Sequence, residues 1–160
     1  MPFEFNTGDA IGYHGAAVWI VDLFYSGHLN YFFEDNATGV SDTGWPMIMA
    51  LIYTVSFNSI IMVRLVNALV SAWMVVFLYK ITQRNFGEQA ARVTAIMSML
   101  LPSFIYYCGL HVKETMMIFF LIAFVERADY LIYSRNYALK NIIQVVLLGT
   151  SLFFFRTVLA

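Results

Sequence analysis

The chain alternates between polar stretches and long apolar runs, and the long apolar runs lie after residue 58. Four runs are candidates for membrane-spanning helices: residues 59–81, 93–112, 114–133 and 141–160. A spanning helix needs about 20 mostly apolar residues. The third run is long enough to span only if its charged residues near 126–129 lie at the cytoplasmic end of the helix, in contact with water. The pattern therefore predicts an all-α, polytopic transmembrane helix bundle over residues 59–160.

Residues 1–58 form a separate unit with two shorter apolar stretches. The stretch AAVWIVDLF places its large side chains on one helical face: Trp19, Ile20, Leu23 and Phe24. The stretch WPMIMALIYTVSF begins with Pro46 at a favourable first helical position and is too short to span a bilayer. We interpret both as interfacial amphipathic helices within the first extracytoplasmic loop.

Composition supports a lipid environment and excludes several classes of protein. The 160 residues are 61% hydrophobic and only 12% charged, whereas soluble domains are about a quarter charged. A net charge of −1 gives no basic patch for nucleic acid. The single cysteine, Cys108, lies in an apolar run, so the sequence has no disulfide framework or thiolate metal site.

The charges of the connections predict the orientation. Residues 1–44 carry acidic side chains and no Lys or Arg, whereas two later connections are basic. The basic residues are Lys80, Arg84 and Arg92 in one connection, and Arg127, Arg135 and Lys140 in the other. Four spans place both connections on one side, which the positive-inside rule makes cytoplasmic.

A three-span alternative would run one helix through Lys113 and Glu114. Two charges at mid-bilayer would cost about 2.5–3.5 kcal/mol each, and the basic connections would fall on opposite sides. We therefore prefer four spans, with residues 1–58, the turn at 109–114 and the end near Arg156 extracytoplasmic. An acidic segment of this length with no preceding span suggests a fragment of a larger membrane protein.

Several short motifs resemble one class of membrane enzyme. In chain order they are D9-x-x-x-Y13, W45-P46, the R-L-x-N-A stretch from Arg64, Tyr79 to Gly87, Pro102 to Gly109, and Lys113-Glu114. Their order and spacing resemble the GT-C class of integral-membrane glycosyltransferases. The most similar group is family 39, the protein mannosyltransferase-like enzymes and their bacterial relatives.

The resemblance implies inverting transfer of a sugar from a polyprenyl-phosphate donor to a lipid, glycan or protein acceptor. It identifies Asp9 with the aspartate that acts as general base in the first outer loop. Many relatives have Asp-Glu at this point, whereas Ala10 follows Asp9 here, so Glu114 is the candidate for the second acidic role. Inversion needs a carboxylate to take the acceptor proton, and the leaving phosphate needs cations.

Five further residues are candidates for substrate binding: Tyr13, His14, Arg64, Lys113 and Arg156. Each has an alternative. Asp9 suits a loop or a helix N-cap, and Glu114 suits the first turn of a helix. His14 suits a pair with a carboxylate, Arg64 a pair with Asp42, and Lys113 an interfacial position. No metal ligand set is evident, and the sequence leaves cofactors, including a divalent metal, open.

Two functions follow from the sequence. The first is a polyprenyl-phosphate-sugar glycosyltransferase in a membrane, with the bacterial inner membrane as the expected location. The second is a small non-catalytic four-span protein that flips lipid carriers or assists assembly. An enzyme needs Asp9 specifically, whereas a flippase or scaffold tolerates its replacement by Asn.

The charge asymmetry gives a test of orientation. In a Cys108→Ala background, cysteines replacing Asn85 and Ala138 should resist an impermeant maleimide in intact cells. Cysteines replacing Asn30 and His111 should react. Labelling at position 85 with protection at position 30 would reverse the orientation.

Overall fold

The computed structural model describes residues 8–28, 43–102, 105–106, 113–135 and 138–155. The side chains of Asp9 and of residues 153–155 are outside this description. The described elements are all helical, which confirms the all-α class. They are α1 (Gly8–Ser26), α2 (Gly44–Ser56), α3 (Ile60–Phe86), α4 (Glu88–Leu100), α5 (Glu114–Ser134) and α6 (Leu139–Phe155).

Among the described helices, α3 is long and apolar enough to cross a bilayer. At 27 residues it extends about 40 Å, more than the hydrocarbon thickness of about 30 Å. Helix α2 and residues 139–152 of α6 are apolar but shorter. The bounds of α5 coincide closely with the predicted third run. Residues 103–104 and 107–112 of the predicted second run are outside the described residues, and the division into four spans stays a prediction.

The outer surface of the helices is apolar. On α3, Leu65, Leu69 and Trp73 are spaced by four residues and are more than half exposed. The opposite face of the same helix is buried and includes Val63, Asn67, Ser71, Met74 and Val75. A helix of a soluble protein would place polar residues on its outer face. The apolar outer face therefore fits contact with lipid.

Helices α3 and α5 run parallel. The rings of Phe77 and Phe119 stack at 5.9 Å. Seven residues later on both helices, Arg84 contacts Glu126. Since both contacts advance by the same number of residues, the two helices keep one register over two turns.

Charged side chains tie the ends of these two helices together. The Arg84 guanidinium pairs with Glu126 through Nη2 and with Asp129 through Nη1, the latter at 2.8 Å. It also lies over the Tyr130 ring, 5.3 Å from the centroid. Asn85 donates to Asp129 at 3.1 Å. Glu126 is 3% exposed and is neutralised by Arg84, so a protein partner rather than water meets its charge.

A tight hairpin joins α3 to α4 at Gly87, whose φ of +87° favours glycine. Glu88 opens α4 and accepts hydrogen bonds from Tyr79 and Gln83, both at 2.7 Å. Arg92 adds an ion pair at 3.0 Å. These contacts, led by the Tyr79 hydrogen bond, lower the pKa of Glu88. They are present at neutral pH and are lost as the pH falls through that lowered pKa.

Helix α6 returns along α5 and packs on it. Near its C-terminal half, a Cβ on Gly149 would lie 3.4 Å from the Phe124 ring. The connections that follow α3 and α5 therefore lie at one end of the bundle, and the start of α5 lies at the other end. This arrangement brings the beginning of α5 to the end occupied by α1 and α2.

Helices α1 and α2 cover that end through a shared core. The small residues Ala17 and Val21 of α1 face the large side chains of α2, and Val63 of α3 and Met116 of α5 complete the cluster. The buried α2 residues of this core are Trp45, Met49, Ala50 and Tyr53. The α1 face that the sequence predicted is divided: Trp19 and Phe24 are 38% and 56% exposed, whereas Ile20 packs against this core.

Replacing Arg84 with Met should destabilise the bundle by about 3 kcal/mol, because Glu126 would stay buried without its main cation. Denaturant unfolding of the purified protein in detergent would measure the change. Arg92→Met is the matched control, since Arg92 pairs with Glu88 on the surface and should matter little. Equal effects of the two substitutions would contradict a special role for the Arg84 cluster.

Candidate active site at the junction of α1, α2 and α5

His14 of α1 is held against α2 by a specific contact. Its Nδ1 lies 2.7 Å from the Tyr53 hydroxyl, and the two rings meet edge to face with centroids 5.5 Å apart. The sequence predicted a loop histidine paired with a carboxylate. His14 is helical rather than in a loop, and it contacts a phenol because α2 folds back onto α1 and carries Tyr53 to this position.

Burial raises the pKa of Tyr53 to about 12. The phenol is therefore protonated at neutral pH and can donate to His14 Nδ1. In that arrangement the proton of the neutral imidazole is on Nε2.

Tyr13, the neighbour of His14, connects α1 to the start of α5. The ammonium of Lys113 lies over the Tyr13 ring, 5.8 Å from the centroid. Such a cation–π contact is worth about 0.5–1 kcal/mol at a partly exposed site. Two candidate residues separated by 100 positions in the sequence are thus brought together.

Asp9 lies in the first turn of α1, so the backbone there is helical rather than a loop. It precedes Tyr13 by four residues and therefore shares its helix face. A carboxylate in the first turn also interacts favourably with the helix dipole. The backbone of α1 thus places Asp9 one turn from the Tyr13–Lys113 contact.

Glu114 is the first residue of α5, directly after Lys113. This position agrees with the dipole interpretation of the residue. Its Oε2 atom is buried, and no hydrogen-bond partner for this atom lies among the residues that the structure describes. A buried carboxylate oxygen is costly without a donor, so this atom suits a hydroxyl or amide supplied by a ligand.

The polar stripe of α3 faces inward as its spacing predicts. Asn67 is fully buried and Ser71 is 4% exposed, with the Ser71 hydroxyl donating to the Asn67 carbonyl at 2.8 Å. Arg64 is half-buried, and its Nε atom is inaccessible to solvent. Asp42, its alternative partner, lies outside the described residues, as does Arg156.

The described residues contain no group of three or more His, Cys, Asp or Glu side chains that could share a metal ion. The junction of α1, α2 and α5 combines one cation, Lys113, with the aromatic groups Tyr13, His14 and Tyr53 and the carboxylate of Glu114. This combination suits an anionic, hydroxyl-rich ligand.

Sequence reasoning did not identify Tyr53 as part of the site and did not predict that Trp45 is buried. Both are fully or almost fully buried, at 1% and 0% exposure, although α2 was interpreted as an interfacial helix. Their spacing of eight residues puts them on one helical face together with Met49. The burial of Trp45 and Tyr53 could have been predicted from this face of large side chains on α2, which matches the small residues of α1.

The profile of the Alg9-like mannosyltransferase family matches residues 21–160. Comparisons with individual curated proteins and with solved structures give no match. The expectation of a membrane glycosyltransferase is confirmed, but the matched family is the Alg9-like one and not family 39. Short motifs in a fixed order indicate the class of enzyme more reliably than the individual family. The matched range begins after Asp9, Tyr13 and His14.

Tyr53→Phe should destabilise the protein by about 1 kcal/mol, because it removes a part-buried hydrogen bond to His14. A double-mutant cycle with His14→Ala, measured by denaturant unfolding in detergent, should show coupling of similar size. Tyr25→Phe is the matched control, since the exposed Tyr25 hydroxyl only reaches the Thr54 carbonyl at 3.4 Å. Additive effects of the His14 and Tyr53 substitutions would contradict the contact.

Proposed function

The chain belongs to the Alg9-like mannosyltransferase family, and from this premise we propose that it transfers a sugar from a polyprenyl-phosphate donor. The acceptor is a lipid, glycan or protein hydroxyl at the extracytoplasmic face. The observation that carries the proposal is the contact between Lys113 and Tyr13, with Asp9 one turn away on α1. This contact joins an aromatic ring and a cation at one end of the bundle, one helical turn along α1 from Asp9.

In the proposed reaction Asp9 is the general base. It takes the proton of the acceptor hydroxyl as that oxygen attacks the anomeric carbon. The bond from the anomeric carbon to the phosphate oxygen breaks, and the polyprenyl phosphate leaves with the electron pair. Attack opposite to the leaving group inverts the anomeric configuration.

The departing phosphate needs positive charge in a place of low polarity. Arg64, Lys113 and Arg156 are the proposed sources. Arg64 suits this role because a planar guanidinium can make two charge-assisted bonds to phosphate oxygens. Lys113 contacts the face of Tyr13, which keeps its ammonium near the proposed base.

The other candidates orient the sugar. Tyr13 forms an apolar wall, and His14 offers Nε2 to a sugar hydroxyl while Tyr53 holds the opposite side of its ring. Glu114 accepts a second hydroxyl through its buried Oε2 atom. Asp9 and Glu114 would then share the acidic roles that relatives with Asp-Glu place side by side.

The family favours this enzyme over a non-catalytic flippase or assembly protein. We also propose the bacterial inner membrane as its location and four spans as its topology. In this arrangement the basic connections after α3 and α5 are cytoplasmic, which follows the positive-inside rule.

Asp9→Asn in the full-length protein should reduce sugar transfer by about 10²- to 10⁴-fold, because the amide cannot act as a general base. The measurement is transfer of labelled sugar from the polyprenyl-phosphate donor in membranes with matched protein levels. Asp22→Asn is the control, since Asp22 is an exposed carboxylate on the same helix. Retention of more than about a third of the activity would exclude Asp9 as the base.

Arg64→Lys and Arg156→Lys should raise the donor KM severalfold and leave the acceptor KM nearly unchanged. Lysine keeps the charge but loses the two-pronged contact to phosphate. Steady-state kinetics with each substrate varied in turn would separate the two effects, with Arg92→Lys as the control. An unchanged donor KM in both variants would leave Lys113 as the phosphate ligand.

A further inference from the structure

An apolar groove lies on the bundle, with its polar end away from the candidate active site. It runs between α3, α5 and α6 and has a volume of about 290 Å³, close to the smallest ligand pockets at about 300 Å³. Its walls are almost entirely apolar, and its polar groups are Arg127 and Gln144. The apolar part is formed by Phe77, Phe119, Ala123, Ile143, Leu147 and Leu148.

The position of this groove separates it from the donor site. Arg127 follows Lys113 by 14 residues along α5, which corresponds to about 20 Å. The groove therefore belongs to the end of the bundle where α3 and α5 meet the basic connections. A donor whose phosphate lies beside Lys113 does not bring that phosphate to Arg127.

Positive charge is in excess at the polar end of the groove. Arg127 lines the groove, and the neighbouring chain segments add the cations Arg84, Arg135 and Lys140 and the carboxylates Glu126 and Asp129, which gives this end of the bundle a net charge of +2. Arg84 engages both carboxylates, and Arg127 Nε also pairs with Glu126 at 3.3 Å, although the Arg127 side chain remains 39% exposed. Lys140 precedes Gln144 by four residues on α6, so it shares the face that lines the groove.

We propose that this groove binds an anionic glycerophospholipid from the membrane leaflet. One acyl chain lies between Phe119 and Leu147, and the headgroup phosphate lies at Arg127 and Lys140. Basic pockets between helices on the cytoplasmic side commonly bind such headgroups. The combination of an apolar channel and a cationic end fits a lipid better than a free phosphate, which would not use the apolar walls.

Lipid retention would test the proposal without depending on transferase activity. The full-length protein is equilibrated in nanodiscs of equal parts phosphatidylcholine and phosphatidylglycerol, and retained lipids are identified by native mass spectrometry. Phosphatidylglycerol should be retained in preference to phosphatidylcholine. Arg127→Gln with Lys140→Gln should lower that preference by about fivefold for each cation removed.

Two further variants separate the headgroup from the chain. Leu147→Trp should fill the groove and abolish retention of either lipid, since Leu147 is 62% exposed on its wall. Arg92→Gln removes a positive charge outside the groove and should change nothing. Lys140 is exposed, so its replacement should not disturb folding. If the double variant does not fold, Lys140→Gln alone tests the headgroup contact.

Three results would overturn the proposal. They are equal retention of the two lipids by the unaltered protein, an intact preference in the Arg127 and Lys140 variants, and normal retention in Leu147→Trp.

Discussion

The pairing of Arg84 with Glu126 and Asp129 is the constraint on which the rest of the bundle depends. A buried Glu126 is tolerated only because a guanidinium meets it, and that guanidinium can reach it only if α3 and α5 run parallel in one register. Parallel neighbours need a return path between them, which α4 begins. The start of α5 therefore lies at the opposite end from the ion cluster.

That geometry explains how the candidate site is assembled. Lys113 and Glu114 come directly before or at the start of α5, so they arrive where α1 and α2 pack over the bundle. The small face of α1 allows Trp45 and Tyr53 of α2 to approach closely, and Tyr53 then fixes His14. The packing of α1 on α2 at one end of the bundle and the pairing of Arg84 with Glu126 and Asp129 at the other end thus both position the polar groups of the candidate site.

The all-α class and the inward stripe of Asn67 and Ser71 could be predicted because both follow from helical periodicity. Periodicity also identified the third apolar run as α5. It could not show that Arg84 would meet Glu126, since the sequence gives the charges of two connections without their distance. The same applies to His14 and Tyr53, which are 39 residues apart and meet only because α2 folds onto α1. The role of Asp9 depends on the resemblance of motifs, and that of Arg156 depends on its predicted position near the outer end of the fourth span.

The central claim is that α1 presents its polar face to the start of α5 in the membrane. The most direct measurement is photo-crosslinking from p-benzoylphenylalanine placed at Tyr13 in the full-length protein in native membranes, with the crosslinked peptides mapped by mass spectrometry. Crosslinks to the region around Lys113 and Glu114 are predicted, because Lys113 Nζ lies 5.8 Å from the Tyr13 ring centroid. Crosslinks confined to lipid or to α2, with none at the start of α5, would contradict the claim.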